Sequence, residues 1–279
     1  MEKDSGYALA YAGLARNAFN LAGYGYMSSS EAVAVAKPAI NRALQLDPAL
    51  EQALIPRALI LQLDGDFAGA EAEFRKAIAR NPNYFDAHTA YSTLLTKTGR
   101  VQEGVRESLI AKKLDPMSPR TNIDLAVILS LARDYTSSIA QFHNALALSP
   151  ENSTLHSFLG ATLAEDGQYA AAVKAGEKGV SLAPGDPLAL LSLSYVYAKA
   201  GDRQKALEIL RVQENKPSAK EYAYEFSGIY AALGDKDRAL QWLERLPHVM
   251  GIFPKVEPML DPLRDDPRFD RVLAKWGLQ

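Results

Sequence analysis

Ala70-Glu71-Ala72-Glu73-Phe74-Arg75-Lys76-Ala77-Ile78-Ala79-Arg80-Asn81-Pro82 sets apolar residues at helical spacing and then stops on an Asn-Pro pair. The same ending recurs as Leu46-Asp47-Pro48, Leu114-Asp115-Pro116, Leu148-Ser149-Pro150 and Leu182-Ala183-Pro184, so five prolines stand 34 residues apart. Proline cannot continue the preceding helix, and its fixed φ suits the start of the next one. Gly65, Gly99, Gly167 and Gly201 fall on the same 34-residue grid, with Arg133 in the vacant place and Gly234 one residue early. Each of these glycines follows a helical stretch, where a left-handed C-cap is wanted, so each unit reads helix, tight turn, helix.

Two further columns hold small residues: Ala36, Ala70, Gly104, Ser138, Ala172, Ala206 and Ala239, then Ala43, Ala77, Ala111, Ala145 and Gly179. Small side chains let two helices approach closely, and Leu61, Leu95, Leu129, Leu163, Tyr197 and Tyr230 fill the space between them. This pattern, from Tyr7 to Leu246, resembles the tetratricopeptide repeat. The resemblance implies an all-α fold, a right-handed superhelical solenoid of about seven helix-turn-helix units. Their expected spans are 6–48, 49–82, 83–116, 117–150, 151–184, 185–218 and 219–251. Residues 252–279 form a C-terminal capping segment, in which Phe269, Val272, Leu273 and Trp276 make the apolar stripe of a helix closing the stack.

The first unit is 43 residues long, nine over the period. We expect the excess in the turn-rich stretch from Gly23 to Ser30, as a protruding loop with Ser30 capping the second helix. Asp4-Ser5-Gly6-Tyr7 reads like the end of an earlier repeat, as in Asn81-Pro82-Asn83-Tyr84, so the chain is expected to start inside a longer array or after another domain. The ending Asp261-Pro262, Leu263-Arg264, Asp266-Pro267-Arg268-Phe269 and Gly277-Leu278, with Tyr11-Ala12-Gly13-Leu14-Ala15, is similar to the C-terminal repeat region of bacterial winged-helix transcriptional regulators, protein kinases and nucleotide cyclases. That similarity implies a sensory or partner-binding module attached to an effector.

Composition narrows the function classes. Thirty-one Lys and Arg against 33 Asp and Glu leave a formal charge of −2, which argues against the basic face that nucleic-acid binding needs. There is no cysteine, hence no disulfide, thiolate metal site or cysteine nucleophile. No apolar run is long enough to span a membrane, and Met1-Glu2-Lys3-Asp4-Ser5 is not built like a signal peptide. A cytoplasmic location is expected, or a periplasmic one if a membrane anchor lies upstream.

Of the four histidines, His88 and His156 stand 68 residues apart, two periods, and share one structural place; His143 and His248 have no metal-binding neighbour. The carboxylate pairs Glu71/Glu73 and Asp265/Asp266 read as solvated surface and turn, and Asn152-Ser153-Thr154 as a helix cap rather than a glycosylation acceptor. No nucleophile elbow, phosphate-binding loop or dinucleotide fingerprint is present. No catalytic, cofactor-binding or metal residue is assigned, and enzyme activity is not expected.

In the repeat family the first helix of each unit lines the concave surface. Two columns there read Ile55, Thr89, Ile123, Ser157, Leu191, Tyr224 and Leu59, Thr93, Val127, Ala161, Tyr195, Gly228, four residues apart on one helix face. The candidate groove residues are Ile55, Leu59, Thr89, Thr93, Ile123, Val127, Phe158, Leu191, Tyr195 and Tyr224, an apolar to mildly polar set suited to a protein or peptide segment. The lysines and asparagines with which some relatives clamp a terminal carboxylate are absent from these columns. Alternatives are self-association through the groove or the Gly23–Ser30 loop, and a small-ligand sensor.

Overall fold

A computed structural model describes residues 7–23, 27–246 and 253–278, and these residues fold into α-helices and 3-10 turns without a strand. The helices follow one another in pairs: α1 (Ala8–Gly23) and α2 (Ser29–Leu46), α3 (Leu54–Leu63) and α4 (Phe67–Arg80), α5 (Phe85–Lys97) and α6 (Val101–Leu114), α7 (Pro119–Leu131) and α8 (Tyr135–Leu148), α9 (Ser153–Glu165) and α10 (Tyr169–Leu182), α11 (Pro187–Lys199) and α12 (Arg203–Glu214), α13 (Ala223–Ala232) and α14 (Lys236–Glu244). A 3-10 turn, Pro258–Leu263, and a last helix, α15 (Pro267–Lys275), follow. The chain divides within α5 into two compact units, residues 1–95 and residues 96–247 with 252–279.

From the second pair onward, the turn inside a pair follows from two residues. Gly65, Gly99, Gly167, Gly201 and Gly234 all take left-handed φ values, between 78° and 91°. In four of the turns, those after α3, α9, α11 and α13, the next amide then donates five residues back: Asp66 to Leu61, Gln168 to Leu163, Asp202 to Tyr197 and Asp235 to Tyr230, at 2.8–2.9 Å. That closure satisfies the carbonyls a helix end leaves free. Asp66, Asp202 and Asp235 serve both helices, because their carboxylates accept from the amides of Gly69, Lys205 and Arg238 and cap the helix that follows. The place without glycine adopts the same geometry: Arg133 has φ 65°, and Asp134 donates to Leu129 at 3.0 Å.

The prolines sit differently from expectation. Pro82, Pro116, Pro150 and Pro184 lie in the turn, three residues ahead of the next helix, and do not start it. The N1 position belongs instead to Pro119 and Pro187, behind the caps Ser118 and Asp186. The carbonyls of three of these prolines are taken from one recurrent position, since the His88, Asn122 and His156 side chains meet Pro82, Pro116 and Pro150 at 3.0, 3.2 and 2.9 Å. That is a structural use for two of the four histidines.

The long first pair corrects a second expectation. Relative to α7 and α8, three of its nine extra residues lengthen α1, four lengthen α2 and two lengthen the connection, so most of the excess is helix. The cap of α2 is Ser28 rather than Ser30. Ser28 Oγ accepts from the Glu31 amide at 3.2 Å, and the Glu31 carboxylate accepts from the Ser28 amide at 2.8 Å. Only Ser28 has a glutamate three residues on to reciprocate, and these bonds hold the Glu31 carboxyl below its usual range. The expected loop tip, residues 24–26, lies outside the described residues.

Packing follows the small-residue columns. Ala36, Ala70, Ser138, Ala172, Ala206 and Ala239 are wholly buried. Ser138 Oγ turns its polarity to use, donating to the Ala126 carbonyl at 2.7 Å across α7 and α8. Contact is close between α9 and α10, where a Cβ at Gly160 would lie 3.1 Å from the Ala172 oxygen and the Gly176 nitrogen. In the first unit Phe74 and Tyr91 bridge α4 and α5, and in the second Phe226 stacks on Trp242 at 4.6 Å between ring centres.

Candidate protein-binding site

The first helices of the second unit carry a segment of the chain itself. The 3-10 turn Pro258–Leu263 packs on α13 and α14 with Leu260 and Leu263 wholly buried, and α15 packs on α14 through Phe269, Val272 and Leu273. The residues leading into and through that turn reach farther. The Lys255 side chain crosses the α5–α6 turn, where a Cβ at Gly99 would come within 3.3 Å of its Cε. Tyr224 Oη donates to the Glu257 carboxylate at 3.3 Å. Met259 fills the notch left by Gly228, and a Cβ there would overlap its sulfur. Asp261 accepts from the Arg133 guanidinium at 2.8 Å and from Arg264 Nε at 2.7 Å, while Arg264 also donates to the Lys255 and Glu257 carbonyls. Residues 257, 259 and 261 thus read three separate features of the helices beneath: a hydroxyl, a notch and a guanidinium.

A second carboxylate lies close by. Glu165, the last residue of α9, accepts from Tyr195 Oη and pairs with Lys199 Nζ at 3.1 Å, both from α11. Burial pushes the Glu257 carboxyl up to about 7, and the charges of Glu165 and Asp261 push the same way, against the pull of the Tyr224 hydrogen bond and of Arg133. Burial with these carboxylates raises the Tyr195, Tyr224 and Tyr135 hydroxyls as well, Tyr195 and Tyr224 well above the usual range. The arrangement is a polar strip of phenols and carboxylates with Arg133 and Lys199 at its edges. Among the described residues no cluster of His, Asp or Glu could hold a metal ion, and no helix is long and apolar enough to cross a membrane.

The ten groove residues of the sequence fall into two sets. Ile55, Thr89, Leu191 and Tyr195 are buried, Leu191 at 0% exposure and Tyr195 at 3%. Leu59, Thr93, Ile123, Val127, Phe158 and Tyr224 are half-buried. Leu59 packs into the core of the first unit, and Ile123, Val127 and Phe158 lie against the core of α7–α10. Of the ten, Tyr224 hydrogen-bonds to the C-terminal segment at Glu257, and Tyr195 lies one step behind it through Glu165.

Models of the tetratricopeptide repeat match residues 56–116 and 124–187, and the model of anaphase-promoting complex, cyclosome, subunit 3 matches residues 165–246. The chain folds as a tetratricopeptide-repeat protein. Among solved structures it is similar to a tetratricopeptide repeat protein from Parabacteroides merdae, with TM-score 0.62 at 14% identity over 97% of this chain and 100% of that one. It is also similar to PilW, a widely conserved type IV pilus biogenesis factor, with TM-score 0.62 at 20% identity over 77% and 97% of the two chains, and to pilF of Pseudomonas aeruginosa, with TM-score 0.55 at 18% identity over 77% and 96%. Among curated proteins none matches the sequence.

Around this strip, sequence reasoning missed the roles of Arg133, Glu165, Lys199, Glu257, Met259 and Asp261. Two signals for them were in the periodic columns. Arg133 replaces a glycine where glycine is the unstrained choice, and Gly228 replaces Val127 or Tyr195 in a column of larger side chains. Each departure marks a place where the C-terminal segment is received.

Proposed function

We propose that this chain is a non-catalytic protein–protein interaction scaffold that holds a segment of a partner protein against the first helices of its repeats. The observation that carries this reading is the seat of residues 255–261, a non-helical and 3-10 stretch held on those helices by Tyr224, Gly228 and Arg133. A face that accepts one such segment by side-chain contacts has the chemistry to accept another. The balanced charge of −2 supports a protein rather than a nucleic-acid partner.

The series Asp261-Pro262, Leu263-Arg264, Asp266-Pro267-Arg268-Phe269 supports a regulatory or sensory role in a larger bacterial signalling protein, with the array in the cytoplasm, or in the periplasm behind a membrane anchor. The likeness in fold to PilW, a pilus biogenesis factor, supports a role among protein partners rather than in catalysis. The test is affinity capture and cross-linking from lysate with the wild type beside a Leu59→Glu, Val127→Glu variant whose folding is checked by circular dichroism. A partner cross-linked to first helices of the wild type and lost from the variant supports the reading. Partners that cross-link equally to both, or only to second helices, overturn it.

A further inference from the structure

We propose that residues 255–261 are a resident occupant of a recognition strip whose external ligand has the same chemistry: a segment entering a 3-10 turn with a carboxylate, an unbranched apolar side chain two residues on, and a second carboxylate two residues beyond that. This rests on the scaffold reading and names the partner's chemistry. Three contacts at alternate positions carry it. Glu257 takes the Tyr224 hydroxyl, Met259 enters the Gly228 notch, and Asp261 takes the Arg133 guanidinium. The stretch turns into the 3-10 helix Pro258–Leu263, so a ligand segment with this spacing meets all three features when it takes the same turn.

The strip is built for a ligand in two respects that closing the stack does not require. Outside residues 255–261, Leu263, Phe269 and Val272, all at most 3% exposed, keep the chain end anchored. The polar contacts place a second carboxylate, Glu257, near Glu165 in a buried site, an arrangement unfavourable to the charged form of Glu257. Arg133, moreover, holds a left-handed backbone where the other repeats use glycine. Non-glycine residues in that region persist where the side chain has a use, and the guanidinium here reaches Asp261 and the Tyr135 hydroxyl. The three contacts define what a replacing segment must carry.

The probe is a fluorescent peptide with the sequence of residues 253–263, Phe-Pro-Lys-Val-Glu-Pro-Met-Leu-Asp-Pro-Leu, added to the full chain and followed by anisotropy. In the variant Glu257→Ala, Met259→Ala, Asp261→Ala the three side-chain contacts are removed and the strip is kept. We expect it to bind the peptide at least tenfold more tightly than the wild type, and a further Gly228→Leu change to abolish that gain. A peptide in which the two acidic positions are lysine is expected to lose at least tenfold. Asp261→Asn alone, which keeps the fold's apolar contacts, is expected to gain about threefold. Equal binding by wild type, triple variant and Asp261→Asn, or equal binding of the lysine peptide, overturns the proposal. Cross-linked partners on other first-helix surfaces would leave the scaffold reading standing in that event, whereas loss of both would remove it.

Discussion

The two ends of the helical series treat their outer faces differently. At the C-terminal end α13 and α14 are covered: Phe226, Ile229 and Leu243 are wholly buried, and the covering layer of Leu260, Leu263, Phe269, Val272 and Trp276 is buried in turn. At α1, by contrast, Tyr7 just before the helix and Leu9 and Leu14 on it are 51%, 41% and 38% exposed. A repeat leaves one apolar face for its neighbour, and a stack closes only where a non-repeating helix turns its stripe inward and its charges outward. The ending here does that and more, because the segment leading into it also reaches back over the first helices to Arg133 and Gly99.

The largest effect that would break this contrast is removal of the closing stripe. Phe269→Ala and Trp276→Ala are each expected to destabilise by about 3–5 kcal/mol, since both rings are almost fully buried. Urea unfolding followed by circular dichroism measures it. A midpoint that stays put in the double variant would mean that α15 does not close the stack.

Next in size is a pH dependence confined to the covered end. Glu257 is raised from 4.5 to about 7, so between those values the folded chain binds more protons than the unfolded one, and stability falls as pH rises across that window. Glu257→Gln is expected to remove most of that decline, on the order of 2 kcal/mol, when unfolding is measured at pH 5 and pH 8. The Asp266 carboxyl, held down to about 2 by Arg268, acts in the opposite direction and at lower pH, so it does not mask the effect. An identical slope in wild type and variant would place the decline elsewhere, on Asp124 or Glu225, whose carboxyls burial also raises.

These residues show what a sequence discloses and what it withholds. The helices and turns were legible because each is settled within a few residues: a left-handed glycine, an aspartate cap, a small side chain against the neighbouring helix. The apolar stripe of α15, with Phe269, Val272 and Leu273 buried, was legible for the same reason. The Ser28 cap was misread by two residues because serine alone does not identify a cap; its partner Glu31 does. The route of residues 255–261 was not legible, because it depends on Asp261 meeting Arg133 at a sequence separation of 128, and no local rule relates them. The groove columns were likewise read by register alone, and register does not reveal that Leu191 and Tyr195 are inside.

Arg133 offers a smaller and sharper test of the reach-back. Its pair with Asp261 is half-exposed, 37% and 47%, and so contributes about 0.2–1 kcal/mol. Its left-handed backbone costs roughly 1 kcal/mol more than glycine would. Arg133→Gly loses the first and gains the second, and its stability is expected to match the wild type within about 0.5 kcal/mol. Arg133→Ala loses the pair and keeps the strain, and should fall about 1 kcal/mol below the glycine variant. Equal stabilities for the two variants would mean that the turn relaxes away from the left-handed geometry once the guanidinium is gone.

The smallest effect is expected at the other end. Leu9 and Leu14 lie on the uncovered side of α1, where a glutamine keeps helix propensity and gives up little buried area. Leu9→Gln with Leu14→Gln should therefore shift stability by less than about 0.5 kcal/mol, at any protein concentration. A larger loss that grows as the wild type is concentrated would have a specific cause. Association stabilises the folded state by mass action, so a melting midpoint that rises with wild-type concentration and stays constant in the variant would show α1 covered by a second copy in solution. The exposed face of α1 would then be an interface, and the difference between the two ends would be one of what covers them, the chain's own tail at one and another chain at the other.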